Sequence, residues 1–183
     1  MLNGLIAVLA FCYPFLIYAA LDQVPPRYLA LLPALVLLLR WHGGKDAKLG
    51  PMIPLLGGLG LLFLLATALS DSAGLLLAYP VFVSLLFFAA FFHSLRHPPS
   101  LVEKLARLQE PDLPPAGVRY TYRVTIAWCV FFLVNGAIAA ATVWHGDTLL
   151  WSLYNGCISY VLMGILMATE MLIRARVKKT FQP

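Results

Sequence analysis

Charge is what this sequence has least of. Only 11% of its 183 residues are Asp, Glu, Lys or Arg, against about 25% in an ordinary soluble domain. Apolar residues make up 61%, and mean hydropathy is +0.84. In water such a chain would expose too much apolar surface; in lipid that surface is already solvated. The composition excludes a soluble domain of any size and leaves room for one membrane domain, residues 1–183, of five or six spanning helices.

Cysteine is scarce too. Cys12, Cys129 and Cys157 each lie inside an apolar run, and no CxxC spacing occurs. Disulfides and a cysteine metal site are not expected. His42, His93, His97 and His145 are scattered at segment ends, without HExxH spacing. There is no nucleophile elbow and no phosphate-binding glycine loop. No catalytic residue, metal or cofactor is therefore assigned, and a non-enzymatic role is the expectation. The N-terminus lacks a basic region and a small-residue cleavage site, so its first apolar segment is read as a retained helix.

What charge there is has a pattern. Of 13 Lys and Arg residues, 12 fall in three gaps between apolar segments, and those gaps alternate with gaps nearly free of positive charge. The net charge of +5 is thus an orientation signal, with some contact to anionic lipid headgroups, and not a nucleic-acid signature. The segments are Leu5 to Leu21, Tyr28 to Leu39, Met52 to Leu69, Ala73 to Phe92, Val124 to Val143 and Leu149 to Ile173. The fold class is an all-α, polytopic transmembrane helical bundle.

Segment two is the short one. Its 12 uncharged residues rise only about 18 Å as a helix. Counted from Val24 to Trp41, with Arg27 and Arg40 snorkelling, it spans. Six spans put both termini in the cytoplasm with Arg40, Lys45, Lys48, Arg96, Lys104, Arg107, Arg119, Arg123, Arg174, Arg176, Lys178 and Lys179, leaving only Arg27 outside. Five spans, with segment two not crossing, move the N-terminus out and Arg27 in. The very apolar ALLPALVLLL favours six. Both versions orient segments three to six alike, with a cytoplasmic C-terminus in a bacterial inner membrane.

The gap from His93 to Arg123 is the one sizeable cytoplasmic element. Within 98–110, Ser100 and Glu103 form an S-x-x-E capping box. Leu101, Val102, Leu105 and Leu108 follow on one helical face, which predicts a short amphipathic helix on the membrane surface. Such a helix is a candidate dock for a cytoplasmic enzyme or carrier protein. Tyr13-Pro14 and Tyr79-Pro80, each leading to a Pro-Pro pair, hint at an inverted repeat, though the match is too short to establish one.

Polar residues inside the spans mark the candidate site. In segment five, with Asn135 at 0°, Trp128 lies near 20°, Thr142 near −20°, Phe132 near 60° and Thr125 near 80°, at about 100° per residue. In segment six, Asn155, Ser159, Met163, Leu166 and Glu170 fit an arc of about 80°. Amides in hydrocarbon need partners, so segments five and six are expected to pack through these stripes. Gly136, Gly156 and Gly164 would permit close contact. The stripes read either as interhelical hydrogen bonding or as a polar groove for a substrate or lipid headgroup. Glu170 is the only acid in a span; Arg174, four residues on, has the spacing of a helix ion pair, and a proton or substrate site is the alternative. VRYTYR, with Arg119 and Arg123 a turn apart beside Tyr120 and Tyr122, reads as positive-inside anchoring or as a phosphate or carboxylate clamp. The candidate ligand-binding set is Arg119, Tyr120, Arg123, Trp128, Asn135, Asn155, Ser159 and Glu170.

The runs AYPVFVSLLFFAAFFHSL, SLVEKLARLQEPDLPP, VRYTYRVTIAWCVFFLVNGAIAA and LWSLYNGCISYVLMGILMATEMLIRARV resemble a family of small bacterial inner-membrane proteins. Their genes often lie in clusters for fatty-acid-synthase-like assembly of aryl polyene lipids. The resemblance covers roughly residues 79 to 177. It is carried by Tyr79, Pro80, Arg119, Tyr120, Thr121, Arg123, Thr125, Trp128, Phe131, Phe132, Asn135, Tyr154, Asn155, Gly156, Tyr160, Gly164 and Glu170. Where the family's fourth segment has an Asn, this chain has Ser84. The resemblance implies a Gram-negative host and an accessory role in acyl or aryl-polyene lipid synthesis or export, with no catalytic mechanism attached. A small lipid or metabolite transporter, or a membrane enzyme acting on acyl or phosphate groups at the cytoplasmic face, are the alternatives.

Overall fold

The computed structural model describes residues 2–43 and 52–181, with side chains described over 11–38 and 54–176. The charge signal of Lys45 and Lys48 lies outside the described residues, as do the side chains of Arg40, His42, Lys178 and Lys179. Among the described residues every regular element is helical: α1 Leu2–Ala20, α2 Pro26–Gly43, α3 Met52–Ser70, α4 Ala73–Leu77, α5 Tyr79–Arg96, α6 Leu101–Arg107, α7 Pro115–His145, α8 Thr148–Leu153 and α9 Ser159–Phe181. A π-helical turn, Tyr154–Ile158, joins α8 to α9.

Among the described residues three helical stretches are long and apolar enough to cross a membrane: Tyr79–Arg96, Pro115–His145 and Thr148–Arg176. Large apolar side chains point outward all round them and around α3, with Leu69 88% and Trp144 94% exposed. A soluble bundle would bury these; a bundle in lipid need not.

An ion pair sets the relation of α2 to α3. The Arg27 backbone N–H donates to Asp71 Oδ1 at 2.9 Å, and its Nε donates to Oδ2 at 2.9 Å. Hydrogen bonding to the Arg27 guanidinium and N–H, aided by its charge, holds the Asp71 carboxyl below the usual carboxylate range. Arg27 opens α2 and Asp71 directly follows α3, and the two helices pack along each other, so they run antiparallel. Asp71 takes φ 49°, the left-handed region that Asp tolerates, and Ser72 then caps α4 by accepting from Leu75 N–H.

At this end of the bundle Tyr13, Ile17, Leu29, Ala30, Leu76 and Trp151 form one buried cluster. The Tyr13 hydroxyl donates to the Leu29 carbonyl at 3.0 Å, tying α1 to α2. The segment expected as one helix from Ala73 is broken at Ala78, because Pro80 has no N–H to continue the ladder. The Leu77 carbonyl beside the break accepts from the Trp151 indole at 2.9 Å. At the other end Phe91, Cys129 and Phe132 form a second cluster with Trp128, Phe131 and Met163 around them.

The capped helix forms where the capping box places it: the Ser100 hydroxyl accepts from Glu103 N–H at 3.3 Å. Its expected apolar face is divided, however. Leu101 and Val102 pack against the second cluster and Ala106 is buried, while Leu105 and Leu108 are exposed. Glu103 of the capping box is buried and pairs with Arg107 at 2.8 Å. The helix is seated on α5 and α7 and also held by Ser94, whose hydroxyl accepts from Leu101 N–H at 2.9 Å.

Of the three glycines expected at helix contacts, two are. A Cβ on Gly156 would lie 2.7 Å from the Phe15 ring of α1, and one on Gly136 would lie 3.1 Å from Ser84 Cβ of α5. Gly164 has open space instead, so its expected close contact is not made. Gly156→Ala is expected to cost about 1–3 kcal/mol by overpacking. A fall in unfolding temperature in detergent measures it, and Phe15→Ala in the same chain is expected to recover most of the loss. An unchanged unfolding temperature for Gly156→Ala would contradict the α1 contact.

Candidate functional site

A cavity of about 310 Å³ lies inside the bundle, walled by α1, α2, α5, α7 and the α8–α9 segment. Most of the wall is apolar. The polar exceptions are Ser84, Asn135, Asn155 and Ser159, with the tyrosines Tyr13, Tyr79 and Tyr160. Among the described residues no Asp, Glu, Lys, Arg or His contributes to it. Its size is at the lower edge of typical ligand pockets, roughly 300–1,000 Å³.

Each polar wall residue is brought in by a local feature. Asn135 stands on the buried stripe of α7 with Thr121, Thr125, Phe132 and Thr142. Its Nδ2 donates to Ser84 Oγ at 3.2 Å, and its Oδ1 accepts from the Tyr154 hydroxyl at 3.0 Å. Gly136 lets α5 come close enough for this. The π-helical turn, closed by Ser159 N–H on the Tyr154 carbonyl, carries Tyr154 and Asn155 inward together. An ordinary helix would fan consecutive residues 100° apart.

Asn155 is the least satisfied of these groups. Its Nδ2 donates to the Trp151 carbonyl at 2.9 Å and lies 3.4 Å from Thr142 Oγ1. Its Oδ1 is buried and has no hydrogen-bond partner among the described residues. Unmet buried acceptors are uncommon and costly, about 1–3 kcal/mol each.

The two tyrosine-proline pairs also meet here. The Tyr13 and Tyr79 rings lie edge to face with centroids 6.5 Å apart, and Pro14 and Pro80 both line the cavity. Pro14 sits inside α1, whereas Pro80 starts α5.

The candidate set from the sequence divides. Asn135, Asn155 and Ser159 come together in the cavity wall. Trp128 belongs to the aromatic cluster, 5.6 Å from Phe132 and 6.2 Å from Phe91, and does not line the cavity. Tyr120 and Glu170 meet elsewhere, the Tyr120 hydroxyl donating to the Glu170 backbone carbonyl at 3.1 Å. Arg174 does not pair with Glu170; its Nη2 donates to Gln109 Oε1 at 3.2 Å, tying α9 to the end of the α6 segment. Arg119 and Arg123 are exposed on α7, away from the cavity. The polar stripe of segment five faces segment four more than segment six: α7 packs chiefly on α5, and the α8–α9 segment reaches it mainly near Tyr154 and Asn155.

Sequence reasoning left Tyr154, Tyr79 and Ser84 out of the candidate set, naming the two tyrosines among the residues that carry the resemblance. Ser84 was visible only as a departure from the family pattern. No family model matches the chain, and neither a curated protein nor a solved structure shows significant similarity to it.

Asn135→Leu is expected to leave the Tyr154 hydroxyl and Ser84 without their partner and to cost about 1–3 kcal/mol. Tyr154→Phe leaves the buried Asn135 Oδ1 without its donor and is likewise expected to cost about 1–3 kcal/mol. Unfolding in mixed micelles measures both; losses that add in the double variant would mean that Tyr154 does not depend on Asn135.

Proposed function

We propose that the chain is a six-span inner-membrane protein with both termini in the cytoplasm, and that it binds a lipid-like molecule without transforming it. In this reading it is an accessory protein of acyl or aryl-polyene lipid synthesis or export. The observation that carries the binding role is the cavity: a partly open, mostly apolar space with a few polar side chains in its wall, inside a bundle whose outer surface suits lipid. A chamber of that kind suits a molecule with a long apolar body and a small polar end. The lipid-assembly context rests on the resemblance of residues 79 to 177.

Six spans are supported by the Arg27–Asp71 pair. It sets the start of α2 level with the end of α3, and α2 has 18 residues where α3 has 19. Two antiparallel helices of about 27 and 28 Å, joined at one level, cross the same thickness. The pair also neutralises the single basic residue that six spans leave outside. The cytoplasmic side follows from the 12 basic residues of the other face. Exposed Leu105 and Leu108 on α6, close in sequence to the exposed Arg119 and Arg123, would serve a cytoplasmic carrier or enzyme delivering or removing the bound molecule.

Transport across the membrane is the second reading. One observation favours it: two helix irregularities, the break at Ala78 and the turn at Tyr154–Ile158, both border the cavity. Interrupted helices around an intramembrane site are a recurrent transporter device.

Two experiments test the proposal. In a chain lacking Cys12, Cys129 and Cys157, Asp22→Cys is expected to react with a membrane-impermeant maleimide in spheroplasts, and Asn3→Cys and His97→Cys only after lysis. Labelling at position 3 with protection at 22 gives five spans instead. Purified from native membranes in mild detergent, the protein is expected to carry a lipid-like molecule seen by mass spectrometry. Ser159→Phe, which fills the cavity, is expected to lose it while unfolding at a similar temperature. A wild-type chain that carries no such molecule would sink the binding role.

A further inference from the structure

We infer that the cavity is filled sideways from the bilayer, and that its occupant is the acyl chain of a membrane-resident lipid and not a molecule drawn from water. This rests on the binding role proposed above and adds the source of the ligand.

One end of the cavity is shut. Tyr13, Ile17, Leu76 and Trp151 line it and also belong to the buried cluster at the Arg27–Asp71 end of the bundle. Ile17 and Trp151 are 1% exposed and Leu76 is 0% exposed. Two hydrogen bonds hold this end together. Pro33 lies inside α2 and has no N–H for the Leu29 carbonyl four residues back. The Tyr13 hydroxyl of α1 donates to that carbonyl instead. The Trp151 indole donates to the Leu77 carbonyl beside the break at Ala78. Water at this end, the outer one in the topology proposed above, meets packed side chains.

The cavity is nonetheless partly open, and the exposed part of its wall lies deeper. Leu32 of α2, Phe87 of α5 and Tyr160 of α9 line it and are 39%, 40% and 39% exposed. At about 1.5 Å per residue they stand about 9 Å from Pro26, about 12 Å from Tyr79 and about 13 Å from Trp151. Hydrocarbon is about 30 Å thick, so that depth is well inside it. Leu35, Leu85 and Val161, on the same three helices at similar depth, are exposed too. A wall that lines a cavity and is exposed at hydrocarbon depth opens into lipid.

The route selects the occupant. An alkyl chain that moves from the bilayer into the cavity passes from one apolar medium to another, and gives up no hydration. A water-soluble molecule would first have to cross hydrocarbon, where its polar groups have no partners. The mouth faces the ends of acyl chains, so a lipid can insert its chain end while its headgroup stays at the membrane surface.

The test is photolabelling of the full-length chain in nanodiscs, after its native molecule has been washed out. One preparation carries a phosphatidylcholine with an alkyl diazirine near the end of one acyl chain. The other has ordinary lipid and a water-soluble diazirinyl glucoside in the buffer. The carbenes insert into whatever they touch, and peptide mass spectrometry maps the adducts. The lipid probe is expected to mark Tyr13 and Phe132, which line the cavity and are otherwise buried, as well as the outward-facing Val130 and Ile165. The glucoside is expected to mark neither Tyr13 nor Phe132. Ser159→Phe is expected to lose the lipid adducts of Tyr13 and Phe132 and to keep those of Val130 and Ile165. Marking of Tyr13 or Phe132 by the glucoside, with or without the lipid probe, overturns the sideways route and leaves the binding role standing. Adducts confined to outward-facing residues with both probes overturn the route as well, and the molecule that co-purifies then decides the binding role by itself. The wild-type comparison decides even where Ser159→Phe does not fold.

Discussion

The structure turns on one constraint: a polar group placed in hydrocarbon has no water to bond with and must find its partner inside the protein. Asn135 obeys it in full, spending its amide on Ser84 and its carbonyl oxygen on Tyr154. Those two bonds join three segments of the chain at one depth. The buried threonines obey it locally, each giving its hydroxyl proton to a carbonyl three or four residues back, as Thr121, Thr125 and Thr142 do. Trp151 obeys it by finding the Leu77 carbonyl. Against that background Asn155 Oδ1 stands out, since its neighbours show that this fold supplies partners where they are needed.

The same constraint explains why two irregular pieces of helix can exist here. A break at Pro80 and a π turn at Tyr154–Ile158 both disturb the backbone ladder, which lipid would penalise. Both face the interior, and in both cases the disturbance is put to use. The break stands beside the carbonyl that Trp151 bonds. The turn directs two consecutive polar residues inward, Tyr154 to complete the Asn135 network and Asn155 to the cavity. Its tolerance depends on Gly156, because any side chain there would meet Phe15. The cavity is thus bordered by the places where regular helix packing is interrupted.

Much of this was legible in the sequence. Hydropathy located the apolar segments, and the 100° rule identified the buried side of segment five, because spacing along one helix depends only on that helix. The capping box located α6 for the same reason. What failed was anything that depends on a second segment. The stripe of segment five was assigned to segment six, but Ser84, a small residue with one hydroxyl, brings α5 closer. Glu170 and Arg174 had ion-pair spacing, but Gln109, from a loop far away in sequence, takes the guanidinium. The face of α6 was misjudged because its true partners are α5 and α7 and not the membrane alone. The π turn left no periodic trace, since it changes register by a single residue.

Arg27 and Asp71 show how a charge pattern and a structure can speak to the same question from different sides. Counting positive charges leaves segment two undecided, because a single arginine is tolerable on either face. The ion pair changes what is being counted. A paired Arg27 is no longer a free positive charge opposing the positive-inside rule, so leaving it on the outer face carries little penalty. Moving it to the cytoplasmic face would take Asp71 with it, and with Asp71 the end of α3. The remaining helices would then have to reverse as well, against the five basic residues between α5 and α7 and those after α9. The orientation of segment two is therefore coupled through one carboxylate to the end of α3, and it is on this coupling that the six-span proposal rests.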